Sequence, residues 1–330
     1  MQFSSNRRKA LMIAGGAAAA AMVGRPAFAE SIPKGTIRIL VGYPAGGGTD
    51  VMARLMADRL KDRLGGANVI VENKAGASGT LAGAVLRDSP ADGSVIMYAP
   101  SAATVAQRVT KKEMVFDLLK DVQTIGLTGT VSTAYVVSPT IGVNTFAEYV
   151  EWLKQNPKKR SFGSTAMGSS THFFGVEIGQ AIGIPLEPVA YKGAGPLIAD
   201  LSAGHAPAGC GGLTDFLTHH RGGKLKILAI SAPKRASSAP DIPTISELGY
   251  PKLASEGFYG FYASAKMSPG MVDAWNKELT ALVQTPELKE RLMGLGLEVQ
   301  TSSPKEFAER QLRDIETFTR SMKAAGYTPE

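Results

Sequence analysis

The chain has 330 residues, 44% hydrophobic and 20% charged, a balance that suits globular lobes with proper cores and argues against disorder or coiled coil. Its formal charge of +7 includes Arg7, Arg8, Lys9 and Arg25 in the first 29 positions, which hold no acid; the remainder carries 32 basic residues against 29 acidic, a net of +3. No basic block remains there, so no nucleic-acid partner is expected.

The first segment, MQFSSNRRKALMIAGGAAAAAMVGRPAFAE, has the three parts of an export signal. Arg7, Arg8 and Lys9 form the charged region, Ala10 to Val23 a weakly apolar stretch, and Ala27 to Ala29 a small-residue cleavage site that would leave Glu30 first. The stretch is too short and too rich in Ala and Gly to read as a membrane span. The Arg7-Arg8 pair points to the twin-arginine route, with Sec export as the alternative. A soluble, exported protein is the expectation.

Strand-like and helix-like segments then alternate. Residues 36–43 (TIRILVGY) read as a buried strand, and 50–60 carry Val51, Met52, Leu55, Met56 and Leu60 on a helical stripe. Strand 67–73, helix 79–88 and strand 94–101 complete a βαβαβ order, which predicts a mostly parallel sheet covered on both faces. Two strands follow at 122–128 and 133–139, then a helix at 145–155 with Thr145 as N-cap and Glu148 completing a capping box. Strand 160–165, helix 171–183, strand 186–191, helix 195–204 and an apolar stretch at 206–212 make a second α/β unit. Strand 225–231, a Pro-rich connection, strand 257–264 and long Ser-Pro-initiated helices at 268–284 and 303–326 end the chain. The architecture expected is α/β, in two lobes joined by two crossings: residues 30–124 and 225–330 in the first lobe, 125–224 in the second.

In such sheets ligands bind where strands turn into helices. Three turns stand out. At 44–50 (PAGGGTD), Gly46, Gly47 and Gly48 leave backbone N–H groups unobstructed before a helix, an arrangement suited to an anion. At 163–173 (GSTAMGSSTHF), Ser164, Thr165, Ser169, Ser170 and Thr171 offer hydroxyls, and 191–196 (YKGAGP) is a third glycine-rich helix start. The first turn lacks the Lys-Ser/Thr of a phosphate loop and the third glycine of a dinucleotide loop, while the second is not GxSxG. Structural tight turns and plain capping are the competing readings.

The single cysteine, Cys210, excludes an intramolecular disulfide and a multi-cysteine metal site, and His172, His205, His219 and His220 lack metal-ligand spacing. No cofactor or metal is therefore expected. An exported enzyme would have to draw on Cys210 (with His205 near it in sequence), His172 or Asp215, and a buried thiol is the simpler reading of Cys210. One such turn in each lobe, facing across a cleft, suits a transport receptor for a small anion; a sensory adaptor is the alternative.

YPAGGGTDVMARLMADRL, VIVENKAGASGTLAGAVLRDSPADG, FGSTAMGSSTHFFGVEIG, AYKGAGPLIADLSAGH, GKLKILAIS followed by Arg235, PDIPTISELGYP and SPGMVDAWNKEL together resemble the periplasmic substrate-binding proteins of tripartite tricarboxylate transporters, the Bug receptors. The resemblance covers essentially all of the chain after residue 29. It implies a type II periplasmic-binding-protein fold, no catalysis, membrane permease subunits as partners and a monomer. It also implies a carboxylate, aliphatic or aromatic, held by main-chain N–H groups and waters. Carried over by position, the contacts fall on Tyr43, Ala45, Gly46, Gly47, Gly48 and Asp50, then on Ser164, Thr165, Ser169 and His172. Ser101, Lys192, Gly193 and Asp215 are their expected neighbours. Ala190 stands where the family has proline, Tyr259 where it has tryptophan, Lys266-Met267 occupy a turn, and 204–216 is unusually rich in glycine where the far wall should lie.

Overall fold

A computed structural model of the chain describes residues 30–113, 115–324, 328 and 329. The expected export signal lies outside the described residues. From Ile32 onward the chain forms one compact unit, built on two sheets. Among the described residues no helix is long and apolar enough to cross a membrane.

The first sheet starts as the alternation predicts: β1 (Thr36–Val41), α1 (Gly48–Arg63), β2 (Asn68–Asn73), α2 (Leu81–Arg87) and β3 (Val95–Pro100). A π-helical turn at Ala102–Ala106 leads into α3 (Gln107–Thr110). β4 (Val122–Val131) follows, and Ser132 alone separates it from β5 (Thr133–Val137), which lies in the other sheet. The second sheet adds α4 (Phe146–Gln155), β6 (Ser161–Ser164), α5 (Ser170–Ala181), β7 (Glu187–Ala190), α6 (Ala194–Ala203), β8 (Ala208–Gly212), α7 (Leu213–Arg221) and β9 (Lys226–Ile230). The chain then returns through β10 (Gly257–Ser264), α8 (Pro269–Val283), α9 (Pro286–Gly294), β11 (Glu298–Val299) and α10 (Pro304–Ala324).

The strand orders are β11-β4-β10-β3-β1-β2 and β7-β6-β8-β5-β9. Neither sheet is mostly parallel: β10 runs antiparallel to β3 and β4, and β5 antiparallel to β8 and β9. The reason is connectivity, because β5 and β10 each come from the opposite lobe and need no crossover helix to reverse direction. Two boundaries also move. β4 stays in the first sheet as far as Val131, and residues 225–231, expected to open the return, pair with β5 in the second sheet. Their buried alternation cannot say which sheet owns them.

Alternate residues of one strand feed opposite cores. Ile37, Ile39 and Val41 of β1 pack on one face of the first sheet while Leu40 packs on the other. Ala134 and Val136 of β5 do the same against Tyr135 and Val137. The two crossings lie side by side. Ser231 N–H donates to the Thr133 carbonyl at 2.8 Å, the Ser231 hydroxyl donates to the Ser255 carbonyl at 2.8 Å, and the same oxygen accepts from Thr133 N–H at 2.9 Å. The Thr145 cap forms as expected at 3.2 Å, but Glu148 reaches back to the Asn144 N–H instead of that of Thr145.

Candidate ligand-binding cleft

Between the sheets, above the Ser132 crossing, lies a cavity of about 50 Å³. Four helices start on its wall. Gly47 and Thr49 come from the start of α1, Ser170 and Thr171 from α5, Ala194 and Gly195 from α6, and Gly212 and Asp215 from α7. Each helix start carries N–H groups without intrahelical partners and the positive end of a dipole. Hydroxyls of Ser101, Ser132, Thr133, Thr165 and Tyr259 fill the gaps, and no Lys, Arg or His lines this cavity. The lining therefore offers hydrogen bonds and partial positive charge to an anion.

One full negative charge is already present. Asp215 Oδ1 accepts from Gly48 N–H of the opposite lobe at 2.9 Å, and Oδ2 accepts from Gly212 N–H at 3.1 Å. Burial raises the Asp215 carboxyl from 3.8 to about 6, against the lowering effect of these two donors. Asp215 thus sits where a carboxylate ligand would be drawn.

The glycine turn divides its work. Gly46 adopts φ +88°, in the left-handed region, and its N–H donates to Asp50 Oδ2 at 3.0 Å. Gly47 is the N-cap and faces the cavity. Gly48 is a close approach, since a Cβ there would stand 2.8 Å from the Thr214 backbone of the opposite lobe. Ala45 is exposed and off the wall.

Asp50 is buried away from the cavity, accepting from Gly46 N–H, from Asn73 Nδ2 at 2.9 Å and from Arg54 Nε at 3.0 Å. Burial alone would raise its carboxyl, but Arg54, Gly46 and Asn73 outweigh it and hold it below the usual range. Asp50 therefore holds the turn rather than facing a ligand.

The hydroxyl-rich turn is divided in the same way. Ser164 and Ser169 are fully buried and bind within their own turn: Ser169 Oγ donates to the Ala166 carbonyl at 2.6 Å, and Ser164 Oγ lies 3.3 Å from Thr171 Oγ1. His172 Nδ1 accepts from Gly168 N–H at 3.2 Å, which shapes the same turn. Of the residues expected in this turn, Thr165, Ser170 and Thr171 line the cavity, while Ser164, Ser169 and His172 do not. Lys192 points to solvent, and Gly193 N–H donates to the Thr165 carbonyl at 3.2 Å while packing near Pro44. Tyr43 and Ser101 line the cavity as expected; the Tyr43 hydroxyl donates to the Ser78 carbonyl at 3.3 Å, and Ser101 Oγ accepts from Phe258 N–H at 3.2 Å.

Sequence reasoning missed Thr49, Ser132, Thr133 and Gly212 as wall residues and took Tyr259 only as a substituted position. The Thr49 and Tyr259 hydroxyls lie 3.1 Å apart, and Tyr259 stacks on Tyr98 with centroids 5.3 Å apart. It also missed the loop at residues 77–79, where Ala77 (φ 47°) and Ser78 (φ 55°) take left-handed conformations. Such conformations cost on the order of 1 kcal/mol or more each. They bring Ser78 Oγ to the Met167 carbonyl of the other lobe at 3.1 Å. Cys210 is buried off the cavity wall, and burial pushes its thiol well up, which leaves no ready nucleophile there.

A sequence profile described as a tripartite tricarboxylate transporter family receptor matches residues 52–320. The chain belongs to this family. It is a family of substrate-binding receptors, not of enzymes. The receptor is 28% identical to protein BugT of Bordetella pertussis over 300 residues, 91% of this chain and 92% of that one. Its fold matches the periplasmic binding protein BugD with a TM-score of 0.84 and 27% identity, over 90% of this chain and 100% of that one. It also matches R. palustris Rpa4515, solved with adipate, with a TM-score of 0.86 and 24% identity over 90% and 99% of the chains, a likeness of fold.

Proposed function

We propose that this receptor works in the periplasm, captures a small carboxylate between its lobes by closing on it, and delivers it as a monomer to the membrane subunits of a tripartite transporter. The observation that carries this is the convergence of four helix starts from both lobes on one hydroxyl-lined cavity without a cationic side chain. Each helix end favours an enclosed anion by up to about 2 kcal/mol. Contacts to both lobes favour whichever state brings them together, so capture shifts an equilibrium between open and closed forms. Membership of the receptor family supports the transport role.

Titration calorimetry with mono-, di- and tricarboxylates, aromatic acids and amino acids tests the reading, alongside mass spectrometry of any ligand that co-purifies. Saturable binding of at least one carboxylate, with compaction in solution scattering, is expected. Heatless titrations across the whole set, with no shift in melting temperature, would refute it.

A further inference from the structure

A second, larger cavity of about 360 Å³ adjoins the first, and Ser101, Thr133, Ser170 and Gly257 line both. The first cavity, at about 50 Å³, has room for only a few water-sized groups at roughly 10–15 Å³ each. A ligand larger than a short acid must therefore extend into the second, whose size falls in the roughly 300–1,000 Å³ range of ligand pockets.

One face of α5 runs from the first cavity into the second. Ser170, Phe173, Phe174 and Glu177 follow the i, i+3, i+4, i+7 spacing of a helix stripe, and all four line the larger cavity. Phe318 of α10 closes the opposite side, edge-on to Phe173 with centroids 5.7 Å apart. At 1.5 Å per residue, Glu177 lies about 10 Å along the helix axis from Ser170. Glu177 is half-buried, and among the described residues no hydrogen bond or ion pair reaches its carboxylate. Of the other charges in the lining, Arg310 Nε donates to Asp314 Oδ2 at 3.0 Å, Lys252 is exposed, and the half-buried Glu256 adds a second carboxylate.

We propose that the second cavity holds the distal part of the cargo, and that the cargo is an acid whose apolar, ring-sized body ends in a protonated amine facing Glu177. This rests on the carboxylate reading above. The short cavity takes the carboxylate, the phenylalanine shelf takes the body, and Glu177 supplies a half-buried negative charge at the far end. A ligand ending in a second carboxylate would instead meet Glu177 with like charge.

Calorimetry with 4-(aminomethyl)benzoate, 4-methylbenzoate, terephthalate and succinate tests this on the full chain and on Glu177→Gln. The amine acid is expected to bind about tenfold or more tightly than the methyl acid, the range of a charge-assisted hydrogen bond. Glu177→Gln is expected to erase that preference while leaving 4-methylbenzoate and succinate within about twofold of the parent. Equal binding of the amine and methyl acids, a preference that survives Glu177→Gln, or terephthalate as the tightest ligand would each overturn the proposal. If succinate binds and the amine confers nothing, this inference falls and the carboxylate reading stands; if no acid binds, both fall.

Discussion

Asp215 makes carboxylate capture depend on pH with a definite sign. Its carboxyl, with burial the largest cause, sits at about 6 among four positive helix ends. Below that value it is protonated and can donate to an incoming carboxylate; above it, two anions must share a cavity of about 50 Å³. At a separation of about 5 Å and an effective dielectric of 20, they repel by about 3 kcal/mol. Binding at neutral pH therefore takes up a proton. Affinity should fall about tenfold per pH unit above 6, to about 100-fold by pH 8. Asp215→Asn removes the charge, keeps an acceptor for Gly48 N–H and should bind carboxylates with a nearly flat profile, tightest relative to the parent at pH 8. Calorimetry from pH 5.5 to 8.5 in buffers of different ionisation enthalpy measures both the affinity and the proton uptake. Equal slopes for parent and Asp215→Asn, or no proton uptake near pH 7, would refute the reasoning. The same group also links stability to pH. With an unfolded value of 3.8 and a folded value of about 6, the folded state holds more protons in that window. Its contribution to stability is therefore lost as pH rises from about 4 to 6, by at most roughly 3 kcal/mol.

Three further outcomes are expected. Gly48→Ala places a Cβ 2.8 Å from the Thr214 backbone; holding the lobes apart, it should weaken carboxylate binding about tenfold or more and increase the radius of gyration seen by solution scattering. Asp50→Ala strands Gly46 N–H, Asn73 and Arg54 and should cost about 2–4 kcal/mol by denaturant titration. The Asp50 contribution has the opposite pH sense to that of Asp215: its depressed carboxyl stabilises the fold above the unfolded value of 3.8 and loses that effect as pH falls through its folded value. Cys210→Ala should leave carboxylate affinity within about twofold, and a thiol reagent should label native Cys210 only after unfolding; rapid labelling of the native protein would contradict the buried position.

Periodicity predicted nearly every element between residues 36 and 284, because buried strands and amphipathic helices each leave a local pattern. It could not assign residues 225–231 to a sheet, because pairing partners are set by tertiary contacts and the same apolar run suits either lobe. The site was visible as three glycine- and hydroxyl-rich helix starts, and all three border the cavity. Which atoms face inward was not, because hydroxyl side chains can bond their own turn. Ser164 and Ser169 do so, while Thr165 does not. Asp50 follows the same logic, as its neighbours Arg54 and Asn73 draw it into the scaffold. The fourth helix start, at Gly212, showed only as surplus glycine, and the Asp215 contact to Gly48 spans 167 positions that no local pattern registers.

The place of β10 has a consequence for how the molecule is assembled. It is inserted between β3 and β4, so that Gly260 faces Ala99 on one side and Leu127 on the other. Until residues 257–264 have been synthesised, the β3 and β4 edges have no partner to join them, and the first sheet cannot close. The second sheet, by contrast, uses only the contiguous stretch from Thr133 to Ile230. Loop closure therefore favours its forming first, with the outer lobe completed late around it by long-range pairing. A chain emerging in order thus spends most of its synthesis with its N-terminal strands unsealed, a period in which a targeting factor or chaperone would find them accessible.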